Sequence, residues 1–240
     1  ILNRLTMTPS EEQLKDRLQQ TRQAMTGLAA TNGRHASEIK LLAVSKMQAA
    51  DQLRTAFNFG QVAFGENYLQ EALDKQQKLS DLAIEWHFIG PIQSNKTRDI
   101  SANFSWVHSV DRLKVAKRLN AQRPPELPPL NICLQVNIDG EASKSGVAPE
   151  DVAALVNEIE ALPMLNLRGI MAIPAPKEGF EEQFETFKRV RDIMLAVPTM
   201  DTLSLGMSGD MAAAIAAGST IVRVGTAIFG KREAKTTEQG

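Results

Sequence analysis

Eight short apolar runs alternate with longer amphipathic segments between residues 39 and 224, and this rhythm constrains the fold more than any other feature of the chain. The runs occupy 39–45, 61–64, 84–89, 105–110, 131–138, 167–173, 202–207 and 220–224. Between them, helical spacing of apolar residues marks segments at about 48–59, 67–80, 93–102, 111–122, 149–161, 179–197 and 210–217. Strands that alternate with helices pair in parallel, because each helix carries the chain back across the sheet. Eight such units in this length predict a closed (β/α)8 barrel, the TIM-barrel architecture. A doubly wound open sheet uses the same units, but no glycine fingerprint follows the first run to favour it.

A further helix is expected ahead of the barrel. Ser10 and Gln13 form a capping-box pattern after Pro9, and Leu14, Leu18, Thr21, Met25 and Leu28 follow at helical spacing. Asn32-Gly33 supplies the stop. The Pro-rich stretch 123–129 interrupts the rhythm without changing it on either side, so it reads as a stiff loop within one domain. The expected organisation is therefore a single domain over 1–240: a helix at about 10–31, a barrel at about 39–230 and a polar tail at 231–240.

Lys plus Arg number 27 against 28 for Asp plus Glu, which argues against nucleic acid or an anionic membrane surface as the partner. No apolar run approaches the roughly 20 residues of a membrane helix. Cys133, the sole cysteine, lies in an apolar run. It reads as a buried, reduced thiol filling a core, consistent with a cytoplasmic protein.

The functional rim of such a barrel is the C-terminal end of its strands. The first run, Leu41-Leu42-Ala43-Val44-Ser45, ends on Lys46. A lysine held half in water at a sheet rim loses solvation, and its neutral amine attacks carbonyls, so Lys46 is a candidate Schiff-base residue. After the seventh run, Ser208 and Gly209 precede the alanine-rich segment Met211–Ala217, whose free N–H groups would favour an anion. Gly225-Thr226 follows the eighth run and can complete a phosphate cradle. Strand one of a closed barrel adjoins strand eight, so amine and cradle face one rim. Together they describe a site for a phosphorylated aldehyde, with pyridoxal 5′-phosphate (PLP) the obvious member of that class. Arg223, two residues before Gly225, shares its face of the strand; from the barrel interior its guanidinium could reach the pyridine nitrogen and, having no proton to give up, would leave it unprotonated.

The segments LLAVSK, FGENY, EWHFIGPIQSNK, NIDGEASKSG, RGIMAIP, LSLGMSGDM-AAAIAAGST and VRVGTAIFG resemble the pyridoxal phosphate homeostasis protein family, whose barrel is like the N-terminal domain of alanine racemase. The resemblance runs from about residue 39 to residue 230. It implies one barrel with PLP held covalently on Lys46, Ser208, Gly225 and Thr226 at the phosphate, Arg223 at the ring nitrogen and Asn67 near the cofactor. Gly209 stands where many members carry a polar residue; a glycine N–H serves a phosphate equally well. The resemblance also implies a monomer that maintains vitamin B6 supply, with PLP-dependent apo-enzymes or B6-pathway enzymes as partners.

Other residues read more plainly. His87 and His108, inside strand-like runs, are expected to be hydrogen-bonded core histidines and not catalysts. Glu66 and Asp210 read as helix-start carboxylates, Asp51 and Glu71 as helix surface, and Trp86 and Trp106 as packing between barrel and helices. Lys144, in a polar loop after the fifth run, is either a solvated lysine or a second, transient aldehyde acceptor. Enzyme and carrier are both open to a PLP barrel, and a Schiff-base aldolase would keep Lys46 without a bound chromophore. Racemisation needs an acid or base on each face of the substrate carbon. The only tyrosine is Tyr68, and no second domain is expected after the eighth run, so a carrier without robust turnover is the favoured reading and a small racemase the alternative.

Overall fold

Each apolar run becomes a short parallel strand because residues of both parities have something to bury: one set points into a barrel, the other against surrounding helices. The structure, a computed structural model, describes residues 9–141 and 144–230. Its strands are β1 Lys40–Val44, β2 Ala63–Glu66, β3 Glu85–Phe88, β4 Trp106–Val110, β5 Leu130–Gln135, β6 Leu165–Met171, β7 Thr202–Ser204 and β8 Ile221–Val224. They close in sequence order, β1 pairing with β8 through Lys40↔Ile221 to Ala43↔Val224, so the barrel expected from the rhythm is the one observed.

Helix α1 (Pro9–Thr31) packs outside against α2 (Ala50–Asn58), burying Leu14, Leu18, Met25 and Ala29. The helix is described from Pro9 onward, with Ser10 inside it. At the other end Gly33 adopts φ 67, and the amides of Asn32, Gly33 and Arg34 return to the last carbonyls of the helix. The crossover helices are α3 (Leu69–Lys78), α4 (Thr97–Asn103), α5 (Leu113–Gln122), α6 (Val152–Glu160), α7 (Phe180–Leu195) and α8 (Met211–Ala216). A four-residue helix, α9 (Thr226–Phe229), follows β8 and lies against α1; four residues carry too little periodicity to reveal it in sequence. The Pro-rich segment is a loop between α5 and β5, closed by Arg123, which donates to the carbonyls of Pro128 and Phe104.

Two apolar bodies result. The larger lies between strands and helices and holds residues such as Phe64, Phe88, Ile132 and Val190. The smaller fills the barrel with Leu42, Ala63, Trp106, Cys133, Met171 and Ile221. Trp106 therefore corrects the sequence expectation: it packs inside the barrel, stacked on His87 with ring centroids 5.4 Å apart. Lys40 of β1 and Arg168 of β6 both lie over its ring, at 5.4 and 5.0 Å. Cys133 is buried in the same interior, and burial pushes its thiol up to about 12, which makes it an unreactive filler. The tail 231–240 and residues 142 and 143 lie outside the described residues.

Candidate functional site

Lys46 sits two residues beyond β1, in a turn at the C-terminal rim, partly buried. The turn is unusual. Met47 holds φ 63, a left-handed conformation that costs a non-glycine residue roughly 1 kcal/mol or more. What holds it there is a buried polar cluster beneath the lysine. The Ser45 hydroxyl donates to Glu66 Oε1 at 2.6 Å, and Lys75 Nζ donates to the same oxygen at 2.8 Å and to the Ser45 carbonyl at 2.7 Å. Lys75 also pairs with Glu71 at 2.6 Å, and Glu71 in turn accepts from the Met47 amide. The residues on both sides of Lys46 are thus tied to β2 and α3.

This cluster overturns the reading of Glu66 as a helix-start carboxylate and of Glu71 as plain surface. Glu66 ends β2 and is fully buried; burial raises its carboxyl above the usual range, against the opposing pull of Lys75 and Ser45. Its Oε2 has no hydrogen-bond partner. The next residue, Asn67, also keeps a buried, unpartnered Oδ1. Its backbone is pressed against Gly90 after β3, where an added Cβ would lie 2.1 Å from the Asn67 carbonyl oxygen, so only glycine admits this approach.

The adjoining stretch of the rim, on the other flank of β1, is built by β7 and β8. Gly206 adopts φ 90 after β7, and its carbonyl accepts from the Arg223 amide at 2.9 Å, locking the two strand ends together. Ser208 and Gly209 follow in a turn that Asp210 closes by accepting from the Met207 amide at 2.6 Å. Asp210 stands at the N-cap position of α8, as a helix-start carboxylate should. Gly225 lies against β1: a Cβ there would come within 3.2 Å of the Val44 carbonyl oxygen, two residues before Lys46. Among the described residues, the amides of Ser208, Gly209, Gly225 and Thr226 meet no protein acceptor. Free amides at turns and helix starts are the fit an anionic phosphate requires.

Arg223 points into the barrel top and is 4% exposed. One terminal nitrogen donates to the Ser204 carbonyl at 2.6 Å and the Ser204 hydroxyl at 2.7 Å, the other to the Ala172 carbonyl at 3.0 Å. Burial pulls its guanidinium down to about 10, with Asp210 acting in the other direction, so it remains a cation at neutral pH. Lys46, Ser208, Arg223, Gly225 and Thr226 thus share one rim, and Asn67 flanks it after β2.

Lys144 follows β5 on the same rim, in a loop whose Asp139 accepts from the Ala175 amide at 2.6 Å. Its Nζ lies 3.2 Å from Glu141 and 3.7 Å from Asp139, close enough for attraction but without an aligned hydrogen bond. Tyr68 is the N-cap of α3 and 52% exposed. Among the described residues no group of three or more His, Cys, Asp or Glu side chains could hold a metal ion, and no helix is long and apolar enough to cross a membrane.

The barrel, its rim lysine and its amide cradle define a class of protein, and the comparisons agree with it. The family model for the alanine racemase N-terminal domain matches residues 12–233. A solved alanine racemase from Corynebacterium glutamicum superposes with a TM-score of 0.65 at 17% identity, over 94% of this chain and 63% of its own; that likeness is of fold alone. Within the class the chain belongs to the pyridoxal phosphate homeostasis protein family. It is 57% identical over 206 residues to the Pseudomonas aeruginosa protein of that name, covering 85% of this chain and 90% of the relative. It is 50% identical over 223 residues to the Escherichia coli protein, covering 90% and 95%. The structure of PipY from Synechococcus elongatus with PLP bound matches with a TM-score of 0.79 at 34% identity, over 91% of this chain and all of that one.

Proposed function

We propose that this protein binds PLP as a Schiff base on Lys46 and stores and delivers it, sustaining vitamin B6 homeostasis without robust turnover of its own. The observation that carries the reading is the fixed geometry of the rim: a lysine whose flanking residues are pinned by a buried ion-pair cluster, set beside free amides and a buried cationic arginine on the neighbouring strands. PLP supplies an aldehyde that condenses with an amine and a phosphate that needs donors. Lys46 offers the amine. Ser208, Gly225 and Thr226 offer hydroxyls and amides to the phosphate, and Asn67, after β2, keeps a buried, unpartnered carbonyl oxygen that can accept from a donor near the cofactor. Arg223 faces the ring nitrogen. Because arginine only donates, that nitrogen stays unprotonated and the ring is a weak electron sink. The 52% exposed Tyr68 leaves no buried phenol to return a proton on the face opposite Lys46, which supports a carrier over a racemase.

We further propose a cytoplasmic monomer that hands PLP to apo-enzymes or B6-pathway enzymes, with Lys144 as a transient second acceptor on the same rim. The primary test is the visible absorbance of purified protein with PLP, before and after borohydride, beside Lys46→Ala. A visible band that borohydride locks onto Lys46, combined with negligible racemase and transaminase rates, is the expected outcome. Protein that stays colourless with PLP returns Lys46 to an ordinary rim lysine. For Lys144, the expected outcome is slower PLP exchange in Lys144→Ala at unchanged band intensity; exchange at the native rate removes it from the pathway.

A further inference from the structure

The barrel interior contains a continuous hydrogen-bonded chain that runs from its N-terminal mouth to Arg223. Lys40 Nζ donates to Glu85 Oε1 at the mouth, where both side chains are about one-third exposed. The same carboxylate oxygen meets His87 Nε2 at 2.7 Å. His87 Nδ1 meets His108 Nε2 at 2.8 Å, and His108 Nδ1 meets the Ser204 hydroxyl at 2.9 Å. That hydroxyl accepts from Arg223 at 2.7 Å. His87, His108 and Ser204 are fully buried.

The two ends dictate the direction of every link. A carboxylate accepts only, so His87 donates from Nε2 and must accept at Nδ1 if its ring is neutral. His108 then donates from Nε2 and accepts at Nδ1, from the Ser204 hydroxyl. At the other end a guanidinium donates only, so Ser204 accepts from Arg223 and passes its own proton on. With both rings neutral, the two constraints select one pattern: each ring protonated at Nε2, each donor aimed towards Glu85. Burial lowers both imidazoles below their ordinary range, His108 well below it with His87 and Arg223 contributing, which keeps the rings neutral. The His87 hydrogen bond is the largest of the effects that hold Glu85 at about 2, so it is charged at neutral pH. Lys40 on β1 and Arg168 on β6, the latter paired with Asp201, are the other charged groups over the Trp106 ring on which His87 stacks.

We propose that Glu85, His87, His108 and Ser204 form a tautomer-locked relay through which the carboxylate at one mouth of the barrel positions and polarises Arg223 at the other. The relay is a property of the chain itself; its consequence for the cofactor rests on Arg223 facing the PLP ring. The four act through Arg223, so all are positioning residues. The relay lets a solvent-accessible carboxylate on the face opposite the site bias the donor strength of the arginine.

The test begins with cofactor-free protein and histidine ring nitrogens observed by ¹⁵N NMR. The expected result is a neutral Nε2–H tautomer for both His87 and His108 at neutral pH. An Nδ1–H tautomer or an imidazolium at either position overturns the relay without recourse to any variant. In Glu85→Gln the expected result is a shift of the His87, His108 and Arg223 guanidinium resonances; in Ser204→Ala/Glu85→Gln the Arg223 response to position 85 is lost. A change confined to His87 in the single variant overturns the proposal. With PLP added, Glu85→Gln should move the pH midpoint of the visible band, and an unmoved midpoint refutes transmission to the cofactor. A missing band in wild type and variant alike refutes PLP binding, while the tautomers seen by NMR still decide the relay.

Discussion

Two buried polar networks hold the two sides of the rim, and they do so by opposite means. Beneath Lys46, outside the barrel, Ser45, Glu66, Lys75 and Glu71 form an ion-paired cluster: one lysine between two acidic side chains. Beneath Arg223, inside the barrel, His87, His108 and Ser204 form a chain of neutral groups with charge only at its ends. A charged cluster resists perturbation through Coulomb energy but depends on each partner, since a lone buried charge has nowhere to go. A neutral chain is cheaper to bury and is specified by which nitrogen carries each proton. The lysine turn, with its left-handed Met47, is held by the costly device; the arginine, already anchored on two carbonyls, is aimed by the softer one.

The sharpest way to break this contrast is Lys75→Met. The residue is 5% exposed, and loss of its ammonium leaves Glu66 buried without a counter-ion. Removing one partner of a buried pair costs about 3–5 kcal/mol, so the denaturation midpoint should fall substantially. Adding Glu66→Gln should recover much of that loss. If Lys75→Met unfolds at the wild-type denaturant concentration, the cluster is not what fixes the Lys46 turn. The corresponding cut in the neutral chain, His108→Leu, orphans His87 Nδ1 and the Ser204 hydroxyl. Its expected cost is smaller, about 1–3 kcal/mol by the same measurement.

The barrel was legible because its signal is repeated: eight apolar runs and their crossovers err by up to three or four residues at an end without altering the order. Lys46 was legible because a strand ending on a lysine is a local feature. Neither network was, since both depend on pairings that skip along the chain. Glu66 finds Ser45 across 21 residues, and His108 finds Ser204 across 96. A carboxylate next to a helix start ordinarily faces water, and only the fold shows that Glu66 does not. Strand parity held a usable hint: Glu85 and His87 on one strand, and Trp106 and His108 on the next, are two apart and share a face. With Leu42 and Cys133 also inside, that face is the barrel interior, which would have placed Trp106 correctly.

A third expected effect separates the networks by pH. For His87 and His108 the folded state lowers proton affinity, so below about 6.5 the unfolded chain binds protons that the native chain refuses. Their contribution to stability is complete above that pH and declines as pH falls, by up to about 1.4 kcal/mol per pH unit for each ring. Glu66 has the opposite sign. Its folded affinity is raised, so its contribution is complete below the ordinary carboxylate value of 4.5 and is lost as pH rises through the folded value. Glu85, at about 2, remains charged throughout and adds only a shallow slope near pH 5, in the same direction as the imidazoles. Unfolding free energies between pH 5 and 7 should therefore fall towards acid in the wild type. The fall should be shallower in His108→Leu, which removes one refusing ring, and steeper in Glu66→Gln, which removes the opposing carboxyl. A Glu66→Gln curve parallel to wild type would mean that Lys75 and Ser45 outweigh burial and keep Glu66 ionised, making the cluster beneath Lys46 a fully charged triad across the whole range.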